Sequence, residues 1–150
     1  MRYINGASFN SQQRGYDYYK DGMVKEFGMI DDGIIQALVK GSGGSVYDVE
    51  VNVNHPKKSK CNCPFADGNT KICKHKVATF FAAFPEEAKE YEEDVVKAIE
   101  EEEQYWEEAE YKLDGYLRSL TKAELISTVY ELLYDLPEWA YERFIMSHIE

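Results

Sequence analysis

Every cysteine of this 150-residue chain falls in one short stretch, as Cys61-Asn62-Cys63 and, after nine intervening residues, Cys73-Lys74-His75. Thiolates are soft ligands, and three of them with one imidazole match the tetrahedral preference of Zn²⁺ in its closed, structural form. A fourth protein ligand leaves no position for a catalytic water. His75, two residues after Cys73, reads as the imidazole, and His55, six residues before Cys61, competes with it. A Cys-His pair also admits a thiol- or metal-dependent enzyme, in which imidazole takes a proton from a thiol. No orienting Asn or Asp stands out for that role, and metal ligation would consume both groups. A thioredoxin-like redox site wants two cysteines separated by two residues, a spacing absent here.

These ligands need a mount. Ser8 to Asp21, with Phe9, Tyr16 and Tyr19 and a stop at Gly22, reads as a short helix. Met23 to Ile30, the turn Asp31-Asp32-Gly33 and the apolar run Ile34 to Val39 form a hairpin. After Gly41-Ser42-Gly43-Gly44, Tyr47, Val49, Val51 and Val53 alternate with Asp48, Glu50 and Asn52, a strand with one buried face. Three antiparallel strands thus deliver the chain to Cys61 and Cys63, which point to one side of extended backbone. The loop Ala66-Asp67-Gly68-Asn69-Thr70 reverses direction.

Val77, Phe80, Phe81 and Phe84 then recur at helical spacing before Pro85. Residues two apart on a helix diverge by about 200°, so Cys73 and His75 converge on one metal only with Cys73 at or before the first turn. There the helix dipole and free amides favour a thiolate. Glu86 to Tyr111 reads as a long, mostly solvated helix, and Thr121-Lys122-Ala123-Glu124 has the form of a capping box before Leu125, Ile126, Val129, Leu132 and Leu133. Pro137 separates a last helix, Glu138 to His148, giving a helical hairpin with His148 facing solvent. The expected fold is α+β: a small antiparallel sheet of about three strands plus helices, pinned by one zinc, in residues 1–85, followed by a helical extension in 86–150.

The formal charge of -11 argues against nucleic acid until its distribution is considered. From Glu86 to Glu110 thirteen acidic residues face only Lys89 and Lys97, which accounts for the whole excess. Around the ligands the sign reverses: Lys57, Lys58, Lys60, Lys71, Lys74 and Lys76 face only Asp67. These lysines are candidate phosphate contacts, and Tyr16, Tyr18, Tyr19, Phe80 and Phe81 are either stacking platforms or, on their spacing, core. No apolar stretch approaches membrane-spanning length and the first residues show no signal-peptide core, so a soluble, cytoplasmic protein is expected. No phosphate-cradling Gly-x-x-x-x-Gly-Lys loop is present, so any ATPase activity belongs to another chain or a missing extension.

Cys-x-Cys, a short spacer and Cys-x-His together resemble the SWIM zinc finger. The likeness extends to Arg14-Gly15-Tyr16-Asp17-Tyr18-Tyr19-Lys20-Asp21-Gly22-Met23-Val24 upstream, to Cys63-Pro64 and Cys73-Lys74-His75-Lys76-Val77-Ala78, and to Leu113-Asp114-Gly115-Tyr116-Leu117 and Leu120 to Leu125 downstream. The resemblance implies one structural Zn²⁺ on Cys61, Cys63, Cys73 and His75, and no catalytic residue. It also implies a role in binding DNA or protein, with Swi/Snf-type ATPases among the partners such fingers accompany.

Overall fold

The computed structural model describes residues 3–149. Two compact units divide the chain, one ending at Val96 and the other beginning at Lys97.

In the first unit, Ser8 caps helix α1 (Phe9–Lys20) by accepting from the Ser11 N–H at 3.3 Å. Gly22, with φ of 62°, turns the chain into strand β1 (Val24–Asp31). Strands β2 (Ile34–Lys40) and β3 (Val46–Asn52) follow, and a 3₁₀ turn at Pro56–Lys58 leads to strand β4 (Lys60–Cys61). The sheet is antiparallel in the order β1-β2-β3-β4. The fourth strand goes beyond the three that the sequence predicts. It has two residues, too few for a period-two pattern, and its position comes from pairing Cys61 with Val49 and Lys60 with Glu50.

Period two sorts the sheet's faces. Ile35, Ala37 and Val39 of β2 and Val49 and Val51 of β3 are buried, while Gln36 and Asp48 lie exposed on the other side. Helix α2 (Lys74–Ala83) packs across the first three strands and against α1. Phe81, fully buried, receives Tyr16 edge-on at 5.6 Å and Tyr19 at 6.0 Å, and Tyr3 stacks on Phe80 at 5.1 Å. These aromatic rings are therefore core, each worth about 1.5–3 kcal/mol when fully buried. Ser59 joins the layers: its hydroxyl accepts from the Tyr3 hydroxyl at 3.1 Å and from the Asn52 N–H at 2.9 Å.

Helix α3 (Pro85–Ser119) starts in the first unit, where Ala88 and Tyr91 are buried and Tyr91 packs on Phe81 at 5.3 Å. It runs past Tyr111, where the sequence reading ended it. The ion pair Lys112–Glu108 at 3.2 Å supports the turn before Gly115, and Arg118–Asp114 at 2.7 Å spans it. In the second unit, α4 (Lys122–Asp135) carries the expected capping box and α5 (Glu138–His148) follows Pro137. No described residue from Lys97 onward is buried. Among the described residues, no helix is long and apolar enough to cross a membrane.

Candidate metal centre

Short-range hydrogen bonds hold each ligand-bearing segment in place. Asn62, between the first two cysteines, clips the loop to β3: its side-chain oxygen accepts from the Asp48 N–H at 3.0 Å, and its amide donates to the Asp48 carboxylate at 3.1 Å. The Cys63 carbonyl accepts from the N–H groups of Ala66 and Asp67, at 3.0 and 2.9 Å, which turns the chain immediately after the ligand. Asn69 closes the loop by accepting from the Lys71 N–H at 2.8 Å. Buried Ile72 then leads into Cys73, the N-cap of α2, with His75 inside the first turn.

Cys61, Cys63, Cys73 and His75 are all buried, and one ligand atom from each lies within 4.8 Å of the others. A tetrahedral Zn²⁺ with ordinary bond lengths needs donor separations of roughly 3.5–3.8 Å. The Cys61 sulfur already stands 3.7 Å from His75 Nδ1. His75 Nε2, by contrast, is buried with no hydrogen-bond partner. Aromatic rings box the imidazole: Tyr47 stacks on it at 4.6 Å and 28°, and Tyr18 leans on it at 5.5 Å. Three sulfurs and one imidazole at this spacing are suited to one zinc ion.

The cluster's electrostatics favour the same ion. The Cys73 thiol is pulled down to about 4 by its hydrogen bond with Cys61, helped by His75 and by the Lys76 backbone N–H and opposed by burial. Cys61 is pushed up, first by that same bond to Cys73 and then by burial. One proton is thus shared between two sulfurs that a divalent cation would bind as thiolates.

His55 does not join the cluster. It is exposed ahead of the Pro56–Lys58 turn, and its N–H donates to Asn52 Oδ1 at 2.7 Å. His148 is exposed and stacks on Phe144 at 4.5 Å.

The six lysines separate into different environments. Lys57 and Lys58 are exposed in the 3₁₀ turn, and Lys60 pairs with Glu50 at 3.3 Å. Lys71 lies over the Phe65 ring at 5.0 Å. Lys74 donates to the Tyr18 hydroxyl at 2.6 Å; burial pushes that phenol up, but the ammonium and the hydrogen bonds from Ser42 together outweigh it and hold the phenol below its usual range. Lys76 is fully buried and its ammonium donates to the Lys71 carbonyl at 2.8 Å, so it is not a surface contact for phosphate. Lys57, Lys58 and Lys60 edge an open groove of about 1310 Å³ across the sheet's solvent face, lined also by Gln36, Leu38, Glu50 and Asn69 among others.

Tyr47 and Ser59 are site-supporting residues that the sequence reading did not single out. Tyr47 sits at a core-facing position of an alternating strand, a signal for burial that does not name its partner.

Comparisons with curated proteins and with solved structures give no match to this chain. The family model of the SWIM zinc finger matches residues 47–84, a span that opens on Tyr47, contains all four cluster residues and closes where α2 ends. The chain therefore carries a SWIM zinc finger whose Cys₃His cluster is suited to one zinc ion.

Proposed function

We propose that the chain is a zinc-stabilised binding module. Cys61, Cys63, Cys73 and His75 hold one structural Zn²⁺, and the surface of the finger, not chemistry at the metal, contacts a partner within a DNA-handling assembly. The observation that carries this reading is the closed donor set: four buried ligands around one point. Bound there, zinc supplies a cross-link between the sheet edge and the start of α2, with an apparent binding free energy on the order of 10 kcal/mol in such sites. A thiol enzyme would need an accessible sulfur, and each of the three is at most 3% exposed.

A protein partner fits the finger's surface better than duplex DNA. Of the six lysines, Lys76 is buried, Lys74 is engaged by Tyr18 and Lys60 by Glu50, which leaves little free cationic surface. The groove itself carries Glu26, Asp48, Glu50 and Asp67 beside Lys57, Lys58 and Lys60. DNA remains the second reading on one observation, the exposed Lys57-Lys58 pair at the groove's edge. Any ATPase of Swi/Snf type would be supplied by another chain or extension.

Elemental analysis tests the metal: one zinc per chain, with loss of the ordered sheet on chelation, is expected, and a native spectrum without zinc would refute the proposal. A salt titration against single- and double-stranded DNA tests the partner. Binding that weakens steeply with salt would move the assignment to DNA.

A further inference from the structure

A second surface lies outside the finger, on the part of α3 that belongs to the second unit. Ile99 and Trp106, seven residues apart, are 51% and 58% exposed, and Tyr105 meets Trp106 edge-on at 5.4 Å. A shallow concavity of about 600 Å³ runs over them, lined otherwise by Glu102, Glu103, Glu107 and Glu110. At about 100° per residue these six positions share an arc of roughly 140°, with Glu101 and Glu108 on the opposite side. Those two carry the local ion pairs, Lys97–Glu101 at 3.7 Å and Lys112–Glu108 at 3.2 Å. The four carboxylates of the concavity have no ion pair among the described residues.

A tryptophan and an isoleucine in water, ringed by unpaired carboxylates, define what can cover them. Nucleic acid and anionic lipid are repelled. A second copy would set the same carboxylates against each other on a chain whose formal charge is already -11. A cationic segment with apolar side chains at helical spacing satisfies both features: its apolar residues cover Ile99 and Trp106, and its lysines or arginines meet the rim. We propose that the 99–110 face of α3 docks a basic amphipathic segment of a partner protein, independently of the zinc finger.

The test uses the whole 150-residue, zinc-loaded chain with Trp139→Phe, which leaves Trp106 as its only tryptophan. The probe is a synthetic amphipathic helix of leucine and lysine, compared with oligolysine of equal charge. The expected result is a saturable blue shift of Trp106 emission with the amphipathic peptide, at least tenfold weaker with oligolysine. Glu103→Gln with Glu110→Gln should weaken binding about tenfold or more, and Glu101→Gln with Glu108→Gln, the same change in net charge, should leave it within about twofold. In the chain that keeps Trp139, Trp106→Ala should abolish binding, read by the mobility of labelled peptide, with helix content and zinc content unchanged. Equal binding of oligolysine, equal effects of the two glutamine pairs, or Trp106-dependent self-association in sedimentation would overturn the proposal. Zinc content reports on the finger separately, so failure of one assignment is not failure of the other.

Discussion

Gly15 of α1 lies so close to Val77 of α2 that a methyl group on Gly15 would stand 2.4 Å from the Val77 Cβ and 3.0 Å from the Lys74 carbonyl. The Val77 N–H in turn donates to the Cys73 carbonyl at 3.1 Å. The helix that opens with Cys73 and His75 is therefore seated directly on α1. Gly15→Ala would gain about 1 kcal/mol of helix propensity, but overpacking of this kind costs typically 1–3 kcal/mol. With no room for a 2.4 Å contact, the second effect should win. The urea midpoint of the zinc-loaded protein is expected to fall, and an unchanged or higher midpoint would show that the helices can part without loss.

Tyr47 covers the imidazole of His75, and its own ring is wedged by Gly41, where an added Cβ would come within 2.6 Å of Tyr47 Cε2. Tyr47→Ala removes a stacked pair worth about 0.5–1.5 kcal/mol beyond its buried area and opens His75 to water. Zinc loss to a chelator should quicken, Tyr47→Phe should restore the slow rate, and Gly41→Ala should fall between them. A Tyr47→Ala protein that releases zinc at the original rate would contradict this role.

Proton competition gives a pH dependence with a definite sign. Cys73 is depressed, so its contribution to the zinc-free fold is present above the ordinary thiol value of 9.0 and is lost as pH falls toward about 4. Cys61 is raised, so its contribution is full below 9.0 and is lost at higher pH. Across neutrality the pair keeps one proton, which the proposed ligation must expel. Zinc affinity should rise with pH, and calorimetry at pH 7 in two buffers of different ionisation enthalpy should register proton release. Identical heats in both buffers would count against ligation by Cys61.

The capping box of α4 offers an independent check in the second unit. Glu124 accepts from the Thr121 hydroxyl and N–H, both at 2.7 Å, and these bonds, the side-chain one first, hold its carboxyl below the usual range. That stabilisation is present above the ordinary carboxylate value and is lost as pH falls through the depressed one. Thr121→Ala is expected to weaken the helix by about 1 kcal/mol, seen as fraying of α4 amides in hydrogen exchange. Exchange that stays as slow in the variant would mean that packing, not the cap, starts this helix.

Much of this architecture was legible in the sequence because it is written in local signals. Alternation from Tyr47 to Val53 located β3, Ser8 and Thr121 marked helix starts, and the divergence of about 200° between residues two apart on a helix placed Cys73 ahead of the helix that carries His75. What stayed hidden depends on distant partners. Lys60–Cys61 is a strand only because β3 lies beside it. Lys76 reads as one more cation in a basic run, yet α2 is packed by α1 on one side and the sheet on the other, so every residue from His75 to Phe81 is buried. The end of α3 was read at Tyr111, yet the helix runs on to Ser119 through Gly115, whose cost of about 1 kcal/mol relative to Ala is offset by the Arg118–Asp114 ion pair and good helix formers around it.

The same contrast separates two kinds of lysine in the basic run. Lys57 and Lys58 end in water, so Lys57→Gln with Lys58→Gln should move the unfolding free energy by no more than about 0.5 kcal/mol. If the partner is duplex DNA, that pair should also reduce the slope of log affinity against log salt by about 2. Lys76 buries its whole stem and gives its ammonium to the Lys71 carbonyl. Lys76→Ala leaves a cavity and an unpaired carbonyl, and should destabilise by about 2 kcal/mol or more while leaving the salt slope of the remaining folded protein untouched. Urea denaturation and salt titration run on both variants distinguish the roles. A Lys76→Ala protein that keeps its midpoint but loses salt-dependent binding would place this lysine at the partner surface and not in the core.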